Sequence, residues 1–319
     1  MGRSLILFVG SGFLLLTCCF IQDVSDANSK DVTYFAKRYK FAIGIYGGKS
    51  ILDLTPIPII KNPVLTAEDV TDIPASFVAD PFMVREKSKW YMFFEVMNGN
   101  TYQGDIGLAT SDDALNWNYR QIVLDETFHL SYPYVFKWNG EYYMIPESFE
   151  AKSIRLYKAI NFPTDWKFIG SLLIGSDYVD SSIFYFENRW WLFTATTQAD
   201  VLYLFYANNL MGQWIQHPES PIIIGDKNIT RPGGRVLIVN NEIIRFTQDD
   251  YPTYGNHVRA FKVINLTTSN YKEVPLTNKP ILNATGIGWN AKGMHHIDLH
   301  KIEEDNWIAC VDGYYITPN

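Results

Sequence analysis

The sequence ADPFMV at residues 79–84 is followed, ten residues after Asp80, by WYMFFE at residues 90–95. Two apolar runs that flank a short charged segment are typical of a β-hairpin. The same pair, with the same offset of ten residues, recurs at residues 132–147, 180–194 and 232–246. A hairpin that returns about every fifty residues indicates a repeat architecture.

Two further strand-like runs complete each unit. In the first three units an alanine that ends one run precedes a tryptophan by seven or eight residues; the pairs are Ala109 and Trp117, Ala159 and Trp166, and Ala207 and Trp214. The fourth unit has a weaker copy, with Val258–Phe261 before Tyr271. Four strands per unit, in the same order each time, predict the blades of a β-propeller rather than a β-sandwich.

The fifth unit is split between the two ends of the sequence. Residues 293–298 and 307–312 supply an inner pair of strands, but no outer strands follow them. The strand-like runs Lys40–Tyr46 and Ile57–Ile60 lie near the beginning and have no blade of their own. If strands from both ends share one blade, the sheet keeps no open edge on which other chains could pair.

We therefore predict an all-β protein, a five-bladed β-propeller whose ring is closed by N-terminal strands that complete the last blade. The blades span residues 35–317 of a domain that fills residues 28–319. Hydrophobic residues are 47% and charged residues 19% of the chain, which excludes a disordered protein. The net charge of −7 argues against a nucleic-acid partner, because phosphate binding needs a basic surface.

The first 27 residues have the layout of a secretory signal peptide. A single Arg3 precedes the apolar run Ser4–Ile21, and small residues stand three and one places before Asn28. We predict cleavage before Asn28 and a protein that is secreted or lies in the lumen of the secretory pathway. An uncleaved membrane anchor and a lipid-modified Cys18 are the alternatives.

Beyond that segment the chain contains one cysteine and three glycosylation sequons. Cys310 lies in an apolar run and is predicted to be a small buried hydrophobic residue, so no intrachain disulfide is possible in the mature protein. The sequons begin at Asn228, Asn265 and Asn283 and are compatible with a glycoprotein of the secretory pathway.

Two groups of known proteins share motifs with this sequence. Residues 79–95, Ile106–Trp117 and Val179–Phe184 resemble the five-bladed glycoside hydrolases of family 43 and its clan. A more specific resemblance covers nearly the whole mature chain and is to the propeller domain at the N-terminus of plant glucosamine inositolphosphorylceramide transferases and in bacterial relatives. The stretches that carry it are Ser131–Tyr134, Met144–Ser148, Arg231–Arg235 and Gly293–His296.

The hydrolase resemblance implies catalytic positions that this sequence fills only in part. In family 43 an Asp of blade one is the general base, an Asp of blade three tunes the general acid, and a Glu opens blade four. Asp80 and Asp180 match the first two positions, whereas the opening of blade four, Thr230–Arg235, offers no carboxylate. Either Glu147 or Glu95 of another blade acts as the acid, or the channel binds a glycan without cleaving it.

Other candidate residues would bind rather than react. Arg231 and Arg235 can hold a sugar hydroxyl, a carboxylate or a phosphate, and their alternative role is to tie loops across the channel. Tyr132 and Tyr134 are candidates for stacking on a sugar ring.

His295 and His296 complete the candidate set. The hydrolase resemblance places a calcium ion near a Gly-His of blade five, which Gly293–His296 matches loosely. We predict no metal and no cofactor, with calcium in the channel as the alternative. Asp80 and Asp180 have a structural alternative too, as caps of backbone N–H groups.

We conclude from the sequence that this is a carbohydrate-active propeller whose funnel binds a glycan or a glycolipid headgroup, an acidic sugar included. In the plant enzymes the resemblance places the transferase module after the propeller, whereas this sequence stops at that point, so we do not expect the transferase chemistry here. We expect a separate glycosyltransferase as a partner. The alternatives are a glycoside hydrolase with a relocated acid and a protein-interaction propeller. The oligomeric state is not predicted.

Overall fold

The computed structural model describes residues 29–318, so the predicted signal peptide at residues 1–27 lies outside the described residues. The first elements are α1 (Ser29–Arg38), β1 (Tyr39–Gly48) and β2 (Thr55–Pro56). The helix was not predicted from the sequence. No helix within the described part of the chain is long and apolar enough to span a bilayer.

Four blades follow in chain order, and the innermost strand of each comes first. Blade one contains β3 (Ala75–Glu86), β4 (Lys89–Asn98), β5 (Gly104–Ser111) and β6 (Asn118–Leu124). Blade two contains β7 (Ser131–Trp138), β8 (Glu141–Glu147), β9 (Ser153–Asn161) and β10 (Asp165–Ile174).

Blades three and four each carry one extra short strand at the outer edge. Blade three contains β11 (Tyr178–Phe186), β12 (Arg189–Thr196), β13 (Val201–Ala207), β14 (Ile215–Gln216) and β15 (Ile223–Ile224). Blade four contains β16 (Leu237–Val239), β17 (Glu242–Asp249), β18 (His257–Leu266), β19 (Tyr271–Pro275) and β20 (Leu282–Asn283). Short 3₁₀ helices lie at Ala67–Asp69, Phe149–Ala151 and Gly288–Asn290.

The fifth blade confirms the predicted closure of the ring. It contains β21 (Ile297–Glu303) and β22 (Asn306–Ile316), and β1 pairs with β22 in antiparallel register from Tyr39–Ile316 to Gly48–Trp307. The prediction of a strand at Ile57–Ile60 was wrong. The outer strand is β2, and the chain then turns, with the Ile60 N–H donating to the Ile57 carbonyl at 3.0 Å.

Aromatic side chains fill the spaces between neighbouring blades. Phe93 of blade one meets Trp166 of blade two edge to face at 5.4 Å between ring centroids, and Trp138 of blade two meets Trp190 of blade three at 4.8 Å. Cys310 is fully buried in the same type of packing, as predicted. Most tryptophans therefore stabilise the ring and are not available to a ligand.

A β-bulge interrupts the innermost strands of the first three blades at the same repeat position. The bulged residues, Asp80, Tyr132 and Asp180, have φ values of 53°, 44° and 49°, a region that side chains other than glycine rarely adopt. Such backbone strain persists only where the surroundings hold it, and it clusters at functional sites. The bulges lie near the end of the channel at which these strands begin, here called the mouth.

The innermost strand of blade four departs most from the prediction. The sequence predicted a strand from Pro232 onward, but β16 begins only at Leu237. The reason is a close contact with blade five, where the Ile297 N–H donates to the Gly233 carbonyl at 3.0 Å. A Cβ on Gly234, which has φ of 144°, would lie 1.8 Å from the Ile297 carbonyl oxygen, so the Gly-Gly pair serves packing between blades.

Candidate functional site

A cavity of about 320 Å³ opens at the mouth of the channel. Its charged and polar lining comes from several blades and includes Asp80, Glu95, Glu147, Arg231 and His295. Its aromatic lining comes from α1, from the strands and from loops at the mouth, and includes Phe35, Phe41, Phe77, Tyr102, Phe149 and Tyr254. The structure therefore brings together most of the charged residues that were predicted from the sequence.

Three of the carboxyl groups in or beside the cavity occupy one repeat position on the second strand of their blades. Glu95, Glu147 and Asp312 each stand five residues after an aromatic residue of that strand. Asp312 was missed as a site residue, although the spacing from Trp307 to Asp312 equals that from Trp90 to Glu95. Asp312 could therefore have been identified by aligning the repeats.

Arg231 lies in a buried ion pair with Asp180. The Arg231 Nε donates to an Asp180 oxygen, and the Arg231 Nη2 lies 3.7 Å from Glu147 Oε2. Gln248 Nε2 also donates to Asp180 Oδ2, at 2.7 Å. Burial lowers the pKa of Arg231, but Asp180, Tyr254 and Asp250 together raise it more, so the guanidinium stays charged, and Asp180 compensates its charge.

His295 lies in a second buried ion pair, with Asp312. The His295 Nδ1 is 2.7 Å from Asp312 Oδ1, and its Nε2 is 3.7 Å from Asp80 Oδ1. Burial lowers the pKa of His295, but the charge and hydrogen bond of Asp312, together with Asp80, outweigh burial and raise the pKa to about 9. Burial likewise opposes ionisation of Asp312, yet His295 holds the pKa of that carboxyl below its usual value. The pair is therefore charged at neutral pH.

Three carboxyl groups of the lining, Asp80, Glu95 and Glu147, have raised pKa values. Burial raises the pKa of Glu95 and Glu147 well above the usual value, and the neighbouring carboxylates Asp80 and Asp180 add to this. Burial also raises the pKa of Asp80, to about 7, against the opposing effect of His295. The cavity therefore offers acceptors and protonated acids side by side.

His129 is a lining residue that the sequence gave no signal for. It lies in the loop before β7, outside the repeated strands. Its Nδ1 accepts a hydrogen bond from the Gly104 N–H at 3.0 Å, and its Nε2 is 3.6 Å from Glu95 Oε1. Burial lowers the pKa of His129 to about 4, so the ring is neutral.

The two candidate stacking tyrosines do not line the cavity. Tyr132 is fully buried, and its hydroxyl reaches across the channel to Ser182 Oγ at 2.9 Å and to the Gly234 carbonyl at 3.0 Å. Tyr134 is 2% exposed and lies 4.9 Å from the guanidinium carbon of Arg235, measured to the ring centroid.

Arg235 is a tie between blades and is likewise absent from the lining. Its Nε donates to Asp298 Oδ1 at 2.6 Å, its Nη1 to the Val135 carbonyl at 2.9 Å, and its Nη2 to the Met83 carbonyl at 3.2 Å. These bonds join blade four to blades five, two and one. Arg235 therefore links blades across the channel, which is the alternative role that the sequence analysis gave for it.

His296 is fully buried, and its Nε2 lies 3.0 Å from the Pro81 carbonyl oxygen. The alternative of a calcium ion in the channel can be tested on the residues next to His296. Asp80, His295 and Asp312 offer ligand atoms within 4.8 Å of one another. Calcium takes six to eight oxygen ligands. Here Asp312 Oδ1 accepts the N–H groups of His295 and His296, and Oδ2 accepts that of Asp80, so the cluster fits a buried ion pair better than a calcium site.

Comparison with known proteins connects this propeller to one family. The family described as glucosamine inositolphosphorylceramide transferase 1, N-terminal, matches residues 37–314. The protein named glucosamine inositolphosphorylceramide transferase 1 from Oryza sativa subsp. japonica is 39% identical over 297 residues, which cover 86% of this chain and 40% of the relative. The protein of the same name from Arabidopsis thaliana is 34% identical over 300 residues, covering 87% and 39%.

Solved structures share the fold at low sequence identity. A glycoside hydrolase from Parabacteroides distasonis superposes with a TM-score of 0.58 at 12% identity and covers 80% of this chain and 95% of its own. The catalytic domain of a GH62 α-L-arabinofuranosidase from Coprinopsis cinerea gives 0.57 at 12% identity, covering 86% and 98%. At this identity the likeness concerns the propeller fold alone.

Proposed function

The chain belongs to the family of the N-terminal domain of glucosamine inositolphosphorylceramide transferase 1, and from this premise we propose that its cavity binds the sugar headgroup of a glycan or glycolipid. The observation that carries the proposal is the composition of the cavity. Aromatic side chains surround a few buried polar groups, which is the usual make-up of a small-molecule site.

Two buried polar atoms of the lining have no hydrogen-bond partner among the described residues. They are the acceptor Asp80 Oδ1 and the donor Arg231 Nη1. A buried polar group without a partner is costly, so the site gains when a ligand supplies one. Sugar hydroxyls both donate and accept and can serve either atom.

The size of the cavity favours a headgroup over a polymer. A volume of about 320 Å³ lies at the lower end of the range for small-molecule sites, roughly 300–1,000 Å³. The aromatic rings of Phe41 and Tyr254, both in the lining, offer flat apolar faces to the ring of a bound sugar.

Tyr254→Ala is expected to weaken glycan binding by about tenfold, because it removes an aromatic face from the lining. The measurement is a glycan and glycolipid-headgroup array followed by titration calorimetry on the full chain. Tyr251→Ala is the matched control, since Tyr251 lies in the same loop and is 62% exposed. Equal losses in both variants, or no binding to any saccharide, would contradict a site in the cavity.

The sequence and the relatives also bear on the location and the partner of the protein. We propose a secreted or lumenal protein of the secretory pathway, in agreement with the predicted signal peptide. The chain spans about 40% of the length of the plant relatives. We propose a glycosyltransferase that works beside this domain as a partner, because the relatives are named as transferases.

One observation favours hydrolysis as a second candidate function. Burial raises the pKa of Glu147 well above its usual value, and Asp180 adds to this, so the carboxyl group favours its protonated form. Asp80 lies in the same lining, in the position that the hydrolase resemblance assigns to a general base. Glu147 would then protonate the leaving oxygen while Asp80 activates a water molecule.

If the cavity hydrolyses glycosides, Glu147→Gln is expected to lower the turnover number by 10²–10⁴-fold, because the amide cannot donate the proton. Release of reducing sugar from the glycans that bind is the measurement. Glu141→Gln is the matched control, because Glu141 is an exposed residue at the other end of the same strand. A wild-type chain that binds these glycans but releases no sugar would eliminate this candidate.

A further inference from the structure

We propose that the folded protein carries N-linked oligosaccharides at two of its three sequons, Asn265 and Asn283, and that the third, Asn228, stays unmodified. Both proposed sites lie on blade four and outside the lining of the cavity. The inference rests on the proposed lumenal location, because Asn-X-Thr is an acceptor in secreted proteins. It does not depend on sugar binding by the cavity.

The sequon at Asn265 lies at the end of β18 that is remote from the mouth. A β-bulge between Val263 and Asn265 leaves Ile264 and Asn265 exposed in succession, while Leu266 is buried. Thr267 begins the turn that leads to β19 and is also exposed. The side-chain amide of Asn265 makes no hydrogen bond within the described part of the chain. The asparagine and the threonine of this motif therefore both face solvent, as a bulky substituent requires.

The sequon at Asn283 lies at the mouth end of the same blade, on its outer edge. Asn283 ends β20, where it pairs with His257 of β18. Leu282 is 2% exposed, so the alternation of side chains along the strand turns Asn283 outward. Thr285 is exposed too, and the Asn283 amide makes no hydrogen bond to a described residue. This second motif is therefore as accessible as the first.

The sequon at Asn228 is held inside a turn between blades three and four. Thr230 is fully buried, and its hydroxyl donates to the carbonyl groups of Ala199 and Asp226. Asn228 is half-buried, and its Nδ2 donates to Asp226 Oδ1 at 2.7 Å. The same oxygen accepts the Asn228 N–H at 3.0 Å. An oligosaccharide on Nδ2 would therefore compete with the carboxylate that closes this turn.

The turn also holds buried polar groups that would lose their partners. The N–H groups of Ile229 and Thr230 each donate to the Asp226 carbonyl at 3.2 Å. The Ile229 carbonyl accepts a hydrogen bond from the buried Arg245 Nη2 at 2.9 Å, and Arg231 of the cavity follows directly in the chain. Unpaired buried groups are costly, so a chain modified at Asn228 would fold poorly. The folded protein would accordingly lack this oligosaccharide.

The two accessible sequons lie beside apolar surface on the outer part of blade four. Ile264 and Val274 are exposed there, and Ile287, four residues after Asn283, is 78% exposed. The strands β19 and β20 form the outer edge of the sheet, and an exposed edge with apolar side chains can pair with another chain. A hydrophilic oligosaccharide near each end of this edge would hinder such pairing.

The test is secretion of the full chain from cultured insect or mammalian cells, followed by peptide mass spectrometry. Enzymatic removal of N-linked oligosaccharides in heavy-oxygen water converts each modified asparagine to a labelled aspartate. We expect the label at Asn265 and Asn283 and none at Asn228. A label at Asn228 in the folded protein, or an unlabelled Asn265 or Asn283, would overturn the assignment.

Paired variants separate the oligosaccharide from the local structure. Thr267→Ala and Thr285→Ala should each remove one oligosaccharide, seen as one step in gel mobility. Thr267→Ser and Thr285→Ser are the matched controls, because serine retains both the acceptor motif and the hydroxyl group. Unchanged mobility in the alanine variants would contradict the proposal.

A second comparison measures what the oligosaccharides do. The double variant Asn265→Gln/Asn283→Gln should form more aggregate than Asn228→Gln at equal concentration, as measured by light scattering. Equal scattering would refute protection of the edge.

The location of an unmodified chain distinguishes two failures. An unmodified chain in the culture medium would overturn the two sites while secretion stands. An unmodified chain retained in the cytosol would overturn the proposed lumenal location together with this inference. Sugar binding by the cavity is measured separately on the array, so its failure is distinct from either result.

Discussion

A chain shortened to begin at Ile57 is expected to lose its cooperative unfolding transition. The truncation removes β1, which buries Phe41, Ile43, Ile45 and Tyr46, and leaves β22 with an unpaired edge. Each of these side chains contributes about 1.5–3 kcal/mol when buried, so together they match the ~5–15 kcal/mol net stability of a typical domain. Thermal unfolding followed by circular dichroism is the measurement.

The control is a chain shortened to begin at Tyr39. It lacks α1 but retains both closing strands, so it should unfold cooperatively with a modest loss of stability. A cooperative transition in the shorter chain, within a few degrees of the full chain, would show that blade five does not need β1 and would refute the closure.

Arg235→Met is expected to lower the free energy of unfolding by about 3–5 kcal/mol, because it leaves the fully buried Asp298 without its cation. Asp298 also accepts hydrogen bonds from the Met83 N–H at 2.6 Å and from His300 Nε2 at 3.1 Å, which are weaker compensation than a guanidinium. For a domain of this size the loss corresponds to a decrease in Tm of roughly 6–20 °C.

Lys89→Met provides the comparison for that variant. Lys89 and Asp112 form an ion pair at 3.8 Å, but the Asp112 side chain is 91% exposed, so the change should be below about 1 kcal/mol. Urea unfolding of both variants gives the two free energies directly. If Arg235→Met and Lys89→Met cost the same, Arg235 is not the tie between four blades that the geometry indicates.

Most of the fold could be predicted from the repeat, because the spacing of a hairpin is local and is visible in the alternation of apolar and polar side chains. The closing strand β1 was predicted for the same reason. The helix α1 was not, since a helix of ten residues is marginal by itself and depends on tertiary contacts. Here Phe35 meets Phe77 edge to face at 6.2 Å between ring centroids, a contact that no local pattern of the sequence records.

The site shows where repeat position stops being informative. Asp80, Tyr132 and Asp180 share one bulged backbone position, yet only the aspartates lie beside the cavity. The long side chain of Tyr132 instead crosses the channel to Gly234. The repeat position determines the backbone conformation, whereas the length of the side chain and its hydrogen-bond partners determine its contacts. The prediction that Arg235 lines the cavity was wrong because its buried partner, Asp298, was not identified from the sequence.

The last residue of α1 and the end of the described chain meet beside the cavity. The Thr317 N–H donates to the Arg38 carbonyl at 3.0 Å, and Phe35 on the same helix lines the cavity. Any segment joined to either end is therefore tethered at the mouth. A short flexible tether raises the effective concentration of what it carries to the millimolar range. The shared fifth blade thus decides which end of the propeller meets a tethered partner.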